Sequence, residues 1–300
     1  MADSIKVRTA IGLTLIAAIT GLLAVDHYTG HGWGVIILAV ALVAGGAAEY
    51  ARMVRGTCPV PARALILAST GYILLKGAGY ELAPWLGTLA LPFALAAGYG
   101  VLFLHLRGAP SQERFRGLAA ASFGFLYLPI LGGFALDARF LPGGGHLGAD
   151  AGVDPMRLGE AAFFYIVAIA KGTDICAYFA GKLLGRTKVV PSVSPGKTVA
   201  GFVGALAGGV LITGLFSAFS SLGALVALPL VPGVGIVMAL VVISGDLVES
   251  FLKRSVEVKD SANLLPNFGG VLDVIDSVVF AAPVVYYLLA GLAWLREVSP

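Results

Sequence analysis

Apolar runs of about 18 to 25 residues, separated by short polar loops, recur along nearly the whole of this 300-residue chain. At a rise of about 1.5 Å per residue, a helix of that length crosses the roughly 30 Å hydrocarbon core of a bilayer. There, backbone N–H and C=O groups must be satisfied within the segment itself. Charged residues make up 12% of the chain, about half the share usual in a soluble domain. The sequence therefore predicts an all-α polytopic membrane protein. Nine spans are expected, at about 8–25, 33–53, 62–79, 84–105, 117–136, 160–180, 199–220, 226–248 and 271–295. Lys171 and Asp174 interrupt the sixth, and "PLVPG" (Pro229 to Gly233) interrupts the eighth.

The loops give the orientation. With the N-terminus in the cytoplasm, 15 of the 20 Lys and Arg residues fall on the inner side and four (Lys76, Arg139, Arg157, Arg296) on the outer, with Lys171 inside a span. That asymmetry is the one set by the positive-inside rule. The first span has no clear small-x-small cleavage site before "VDHYTGH" and reads as a retained anchor. Cys58 and Cys176 suggest neither a disulfide nor a CxxC metal site, and His27 and His31 in one outer loop read most simply as solvated. The basic residues lie in short loops, and no nucleic acid is expected as a partner.

The two halves differ in kind. Residues 1–160 are plain spans joined by short loops, a lipid-embedded scaffold. Residues 161–300 hold the charged residues at membrane depth, with polar inner loops at 181–198 and 249–270. An unpaired ionised carboxylate at the bilayer centre costs about 2.5–3.5 kcal/mol, so Asp246, Asp273 and Asp276 need either a place near the interface or partners. Acids at a helix N-terminus are favourable in themselves, which accounts for Asp273 and Asp276 singly. Their i, i+3 spacing, however, puts both on one helix face, and Asp246 ends the preceding span. Three converging carboxylates read as a site for a hard cation, which takes oxygen ligands together with substrate phosphates.

Groups suited to phosphate adjoin them. Lys253 and Arg254 follow Asp246 within two turns, and the loop "GKLLGRTKVVPSVSPGKT" supplies Lys182, Arg186, Lys188 and Lys197. The "SPGKT" ending invites a P-loop reading, which fails because Pro191 stands where the first glycine is required and no strand precedes it. What survives is a glycine-containing turn offering backbone N–H groups, Ser194, Lys197 and Thr198 to phosphate. Within the sixth span, Lys171 and Asp174 stand at i, i+3. Either they neutralise each other, or Asp174 faces the same polar cavity as Asp246.

At this point the chain resembles a known family. "GDLVESFLKRSVEVKDSANLLPNFGGVLDVIDS" (Gly245 to Ser277) looks like the signature of the phosphatidate cytidylyltransferases, integral membrane CDP-diacylglycerol synthases. Ser250, Leu252, Lys253, Arg254, Lys259, Asp260, Ala262, Leu265, Pro266, Gly269, Gly270, Val271, Asp273 and Asp276 match it in place. A second block, "TDICAYFAGKLLGRTKVVPSVSPGKTVAGFVGALAGG", is similar to the family's other conserved stretch. "AAEYARM" (Ala47 to Met53) is a faint echo in the N-terminal half. Phe268 stands where the family usually has His, and Val274 where it usually has Arg.

The resemblance implies transfer of the cytidylyl group of CTP to phosphatidate at the inner leaflet of the cytoplasmic membrane, with release of pyrophosphate. It implies Mg2+ on Asp246, Asp273 and Asp276, with a second cation left open. It assigns Lys197, Lys253 and Arg254 to the phosphates and Ser194, Thr198, Lys259, Asp260, Gly269, Gly270 and Asp174 to the surrounding site. A homodimer fits the family. Because the attacking phosphate oxygen is already ionised at neutral pH, replacing the family's His by Phe268 does not by itself exclude activity. Two other readings stay open. A CTP-dependent polyprenol or phytol kinase would release CDP rather than pyrophosphate. An ion-coupled transporter using the intramembrane aspartates would turn over no CTP.

Overall fold

The computed structural model describes residues 17–107, 109–141, 154–258, 261–262 and 269–298. The described chain is helical: α1 (17–29), α2 (Trp33–Val54), α3 (Ala62–Glu81), α4 (Pro84–Thr88), α5 (Ala90–Leu106), α6 (Gln112–Phe125), α7 (Phe134–Phe140), α8 (Pro155–Leu184), α9 (Val199–Phe219), α10 (Val231–Ser255) and α11 (Val271–Val298). Among the described residues, seven helical segments are long and apolar enough to cross a membrane: Trp33–Val54, Pro84–Leu106, Gln112–Phe140, Pro155–Leu184, Val199–Phe219, Leu228–Ser255 and Val271–Arg296. They correspond to seven of the nine expected spans. The expected span at 62–79 is the helix α3, but Arg63, Ser69, Thr70 and Lys76 keep it out of that set. The expected span at 8–25 falls largely outside the described residues, which begin at residue 17 within α1.

Local chemistry sets several helix starts. The Ser111, Asp154 and Thr198 side chains accept hydrogen bonds from Arg114, Met156 and Gly201 N–H and so cap α6, α8 and α9. α8 also has a proline at its start, where the missing N–H costs nothing. The expected span at 117–136 is not one regular helix. A π-helical stretch, Leu126–Leu131, carries Pro129 inside it, because proline lacks an N–H and its ring clashes one turn back.

The chain forms two compact units, Met1–Leu136 with Ser255–Ile275, and Asp137–Arg254 with Asp276–Pro300. In the first, α2 packs against α3 and α6 around Tyr50, Leu65, Ile73, Tyr127 and Leu128. The Tyr50 ring lies on Gly124, and its hydroxyl donates to the Ala120 carbonyl at 2.8 Å. Val271 and Ile275 reach Gly45 and Gly46 of α2. His31 is paired with Glu81 at 2.9 Å.

In the second unit, α8 and α9 form the most extensive helix pair, and glycines bring them together. A Cβ on Gly204 would stand 2.3 Å from that of Ala180, and one on Gly208 would stand 2.6 Å from that of Cys176. Small residues at such seams let backbones approach where lipid removes the hydrophobic drive for association. Cys58 and Cys176 are both free thiols. Gly209 of α9 and Gly235 of α10 meet in the same way, with a Gly209 Cβ falling 2.4 Å from the Gly235 carbonyl oxygen. That contact is backbone and cannot swing aside, so Gly209→Ala is expected to destabilise the protein by about 1–3 kcal/mol through overpacking. Thermal unfolding in detergent should show a lowered midpoint; an unchanged midpoint would mean the helices are free to separate.

Candidate active site

In the second unit, α8 enters a turn at Gly185, and α9 begins at Val199. The intervening loop folds back on itself. Lys188 and Thr198 form an antiparallel bridge, with Val189 N–H donating to the Lys197 carbonyl at 3.1 Å and Val199 N–H to the Thr187 carbonyl at 3.0 Å. At its tip, Ser194 N–H donates to the Val190 carbonyl and Lys197 N–H to the Ser194 carbonyl. Ser194 therefore shapes the turn that presents Lys197. Thr198 is buried. Its hydroxyl caps α9, accepting from Gly201 N–H at 3.1 Å, and it packs where side chains on Gly181 or Gly185 would collide with it. The loop has no strand before it, in keeping with the failure of the P-loop pattern.

The loop closes one side of a cavity of about 490 Å³, whose walls include Asp174, Lys182, Lys188, Lys197, Thr198 and Asp246. That volume lies in the range of small-molecule sites. Three lysines and a helix N-terminus face it, a composition suited to phosphate. Asp174 and Asp246 share this cavity, the second of the two arrangements left open by the sequence. Lys197 Nζ is in contact with Asp246 Oδ2 and also reaches the Ile243 carbonyl at 3.4 Å.

Beside the cavity, one carboxylate oxygen from each of Asp246, Glu249 and Asp276 lies within 4.8 Å of the others. Asp246 and Glu249 stand at i, i+3 on α10. Gly245 allows α11 to come close, since a Cβ there would lie 3.2 Å from the Asp276 carbonyl oxygen. Glu249 and Asp276 are buried. Cations offset them: Lys253 Nζ is 2.5 Å from Glu249 Oε2, and Lys171 Nζ is 3.4 Å from Asp276 Oδ1 and 3.2 Å from the Ser277 hydroxyl. Lys171 thus pairs with Asp276 and Ser277 of α11. Three hard oxygen donors at this separation, close to the span of about 4 Å across a magnesium coordination sphere, are able to coordinate a divalent cation.

Asp273, Gly269 and Gly270 are found in the first unit. Asp273 Oδ2 accepts from Gly270 N–H at 2.7 Å, the Ser261 hydroxyl at 2.7 Å and Ser261 N–H at 3.2 Å. Gly269 has φ +85°, which favours glycine. A Cβ on it would meet the Asp273 carboxylate, and one on Gly270 would meet Glu49 and Ser261. Here the glycine pair makes room for two carboxylates. Arg254 is exposed at the end of α10. Lys259, Asp260 and Phe268 lie outside the described residues.

Sequence reasoning did not assign Glu249 or Glu49 to the site. The i, i+3 spacing from Asp246 was the available signal for Glu249. For Glu49 it was an acid inside an otherwise apolar span, a feature that by itself points to function.

Fold and site together define a helical membrane protein with a lysine-lined cavity beside a carboxylate cluster. Residues 6–292 match the sequence model of the cytidylyltransferase family, and the chain belongs to that family. It is 44% identical over 136 residues to the phosphatidate cytidylyltransferase of Bacillus subtilis (strain 168), covering 45% of this chain and 49% of that protein. The phosphatidate cytidylyltransferase of Brucella suis biovar 1 (strain 1330) is 40% identical over 132 residues, covering 43% and 46% respectively. An uncharacterized protein of Escherichia coli (strain K12), YnbB, is 39% identical over 135 residues, covering 44% and 43%. The chain thus spans about half the length, or somewhat less, of the curated relatives it matches.

Proposed function

We propose that this protein transfers the cytidylyl group of CTP to phosphatidate, giving CDP-diacylglycerol and pyrophosphate. The observation that carries the reading is the lysine-lined cavity opening on Asp246, with Glu249 and Asp276 beside it, in a chain of the cytidylyltransferase family. Family membership and the named activity of its relatives support the same substrates. Nine spans with the N-terminus in the cytoplasm, a cytoplasmic-membrane location with the site on the inner face, and a homodimer complete the proposal. Residues 161–300 are its catalytic region.

The reaction needs little covalent help. A phosphatidate oxygen attacks the α-phosphorus of CTP, a P–O bond forms to it, and the bond to the β-phosphate oxygen breaks as pyrophosphate leaves. Such transfers depend on positioning and on neutralising charge. Lys182, Lys188 and Lys197 supply cationic donors for the phosphates, and the α9 N-terminus adds a positive dipole end. Lys253 and Arg254 are assigned to phosphate from the last turn of α10. Asp246, Glu249 and Asp276 would hold Mg2+, which when bound offsets charge on the phosphate oxygens and leaving group. Asp273 is proposed as a further ligand on the resemblance alone, as are Lys259 and Asp260 in substrate binding. Ser194, Thr198, Gly269 and Gly270 shape the loops around the substrate, and Asp174 orients groups within the cavity.

The direct test is the full chain, purified into phosphatidate-containing nanodiscs, given CTP labelled at the α-phosphate and Mg2+. Labelled CDP-diacylglycerol with stoichiometric pyrophosphate is expected. CDP with a phosphorylated lipid alcohol would instead identify a kinase, and no turnover of CTP would sink the assignment.

A further inference from the structure

α11 starts without a side-chain cap of the usual kind. Gly270 precedes Val271, and glycine has no side chain to offer the first N–H groups, which an α-helix leaves without internal partners. The acceptor comes from α2, more than 200 positions earlier in the chain. Val271 N–H donates to Glu49 Oε1 at 2.9 Å, and Leu272 N–H donates to Glu49 Oε2 at 2.8 Å. The Ser261 hydroxyl lies 3.2 Å from the same Oε2 and 2.7 Å from Asp273 Oδ2. Glu49 is completely buried, at 0% exposure. Gly45 and Gly46 give Val271 and Ile275 the room to come this close to α2. The two carboxylates, Glu49 and Asp273, thus share one serine and clasp one turn of backbone from either side.

We infer that Glu49 is a positioning residue, a cap supplied from a distant helix that fixes the first turn of α11 and thereby Asp273 in that turn. A carboxylate suits this place better than any neutral side chain. Both its oxygens accept, and they face two adjacent N–H groups at the positive end of a helix dipole. An amide in the same place has one acceptor only. Whichever way it is turned, its NH2 group points at a backbone N–H.

The inference rests on the proposed function for its catalytic consequence, while the capping itself is independent of it. Glu49→Gln is expected to lower kcat for CDP-diacylglycerol formation about 100-fold, the scale of a misplacement of about 1 Å, with KM for CTP within about twofold. Hydrogen exchange at the Val271 and Leu272 amides should speed up in the same variant. Val271→Pro removes one of the two donors at a first helical position, where proline is tolerated. By itself it should change kcat little. Combined with Glu49→Gln, it lets the amide NH2 occupy the vacated side while its oxygen accepts from Leu272, and kcat should recover at least tenfold over Glu49→Gln alone. A general loss of stability gives no reason for a proline to rescue the glutamine.

The inference is overturned if Glu49→Gln keeps wild-type kcat and wild-type exchange, or if Val271→Pro leaves the glutamine defect unchanged. Should the unaltered protein form no CDP-diacylglycerol, the function reading fails instead. Exchange at the two amides needs no turnover and decides the Glu49 assignment in that case too.

Discussion

Asp276→Asn is expected to reduce CDP-diacylglycerol formation by at least about 10³-fold, equivalent to roughly 4 kcal/mol of lost transition-state stabilisation. The change keeps the shape of the side chain and removes its charge from the three-carboxylate group with Asp246 and Glu249. It also leaves Lys171 facing a neutral amide, and breaking one side of a buried ion pair is itself destabilising. The comparison that separates the two effects is Lys171→Met with Asp276→Asn. The double variant should regain thermal stability lost by Asp276→Asn alone and should regain no activity. Glu249→Gln is expected to raise the Mg2+ concentration needed for half-maximal rate, because it weakens the same group from another helix. Wild-type turnover in Asp276→Asn would place the cation elsewhere.

The second large effect is expected at Lys197. Lys197→Met should lower kcat/KM for CTP about 10- to 100-fold, the worth of one or two hydrogen bonds to charged groups. Most of the loss should appear in KM, since the lysine contacts ground state and transition state alike. Its turn is held by backbone bonds of Val190 and Ser194, so the loop should keep its form. Lys188→Met, on the facing arm of the same loop, where Lys188 bridges Thr198, should have a smaller effect of the same kind. A Lys197→Met enzyme with unaltered KM for CTP and altered KM for phosphatidate would move this lysine from the nucleotide to the lipid.

Much of this was legible in the sequence for a simple physical reason. In a bilayer the backbone must close its hydrogen bonds within each segment, so apolar length alone gave the helices. The i, i+3 rule put Asp273 and Asp276 on one helix face, while the same spacing between Asp246 and Glu249 went unread. The cavity above "SPGKT" follows from a basic loop that must turn between two spans. What stayed hidden depends on contacts distant in sequence. Neither spacing nor composition of α2 says that Glu49 meets Val271 and Leu272, and nothing in "KGTD" says that Lys171 reaches Asp276. The role of the glycines at 269 and 270 also escaped the sequence. The resemblance assigned them to the site around the substrate, and the structure sets them against the carboxylates of Asp273 and Glu49. The π-helical stretch around Pro129 is a milder case, since a proline in a span tells that the helix bends its rules without telling how.

The contact between Lys197 and Asp246 carries a last consequence. On the proposed function, one of these residues is destined for a phosphate and the other for a metal ion, and without substrate each occupies the place of the other's guest. The arrival of nucleotide with its cation is then an exchange of partners, as in a double-displacement reaction between two salts. Neither residue has to be stripped bare at any stage. Nucleotide or cation alone leaves one of the four charges unmatched, so the two are expected to bind together more tightly than their separate affinities foretell.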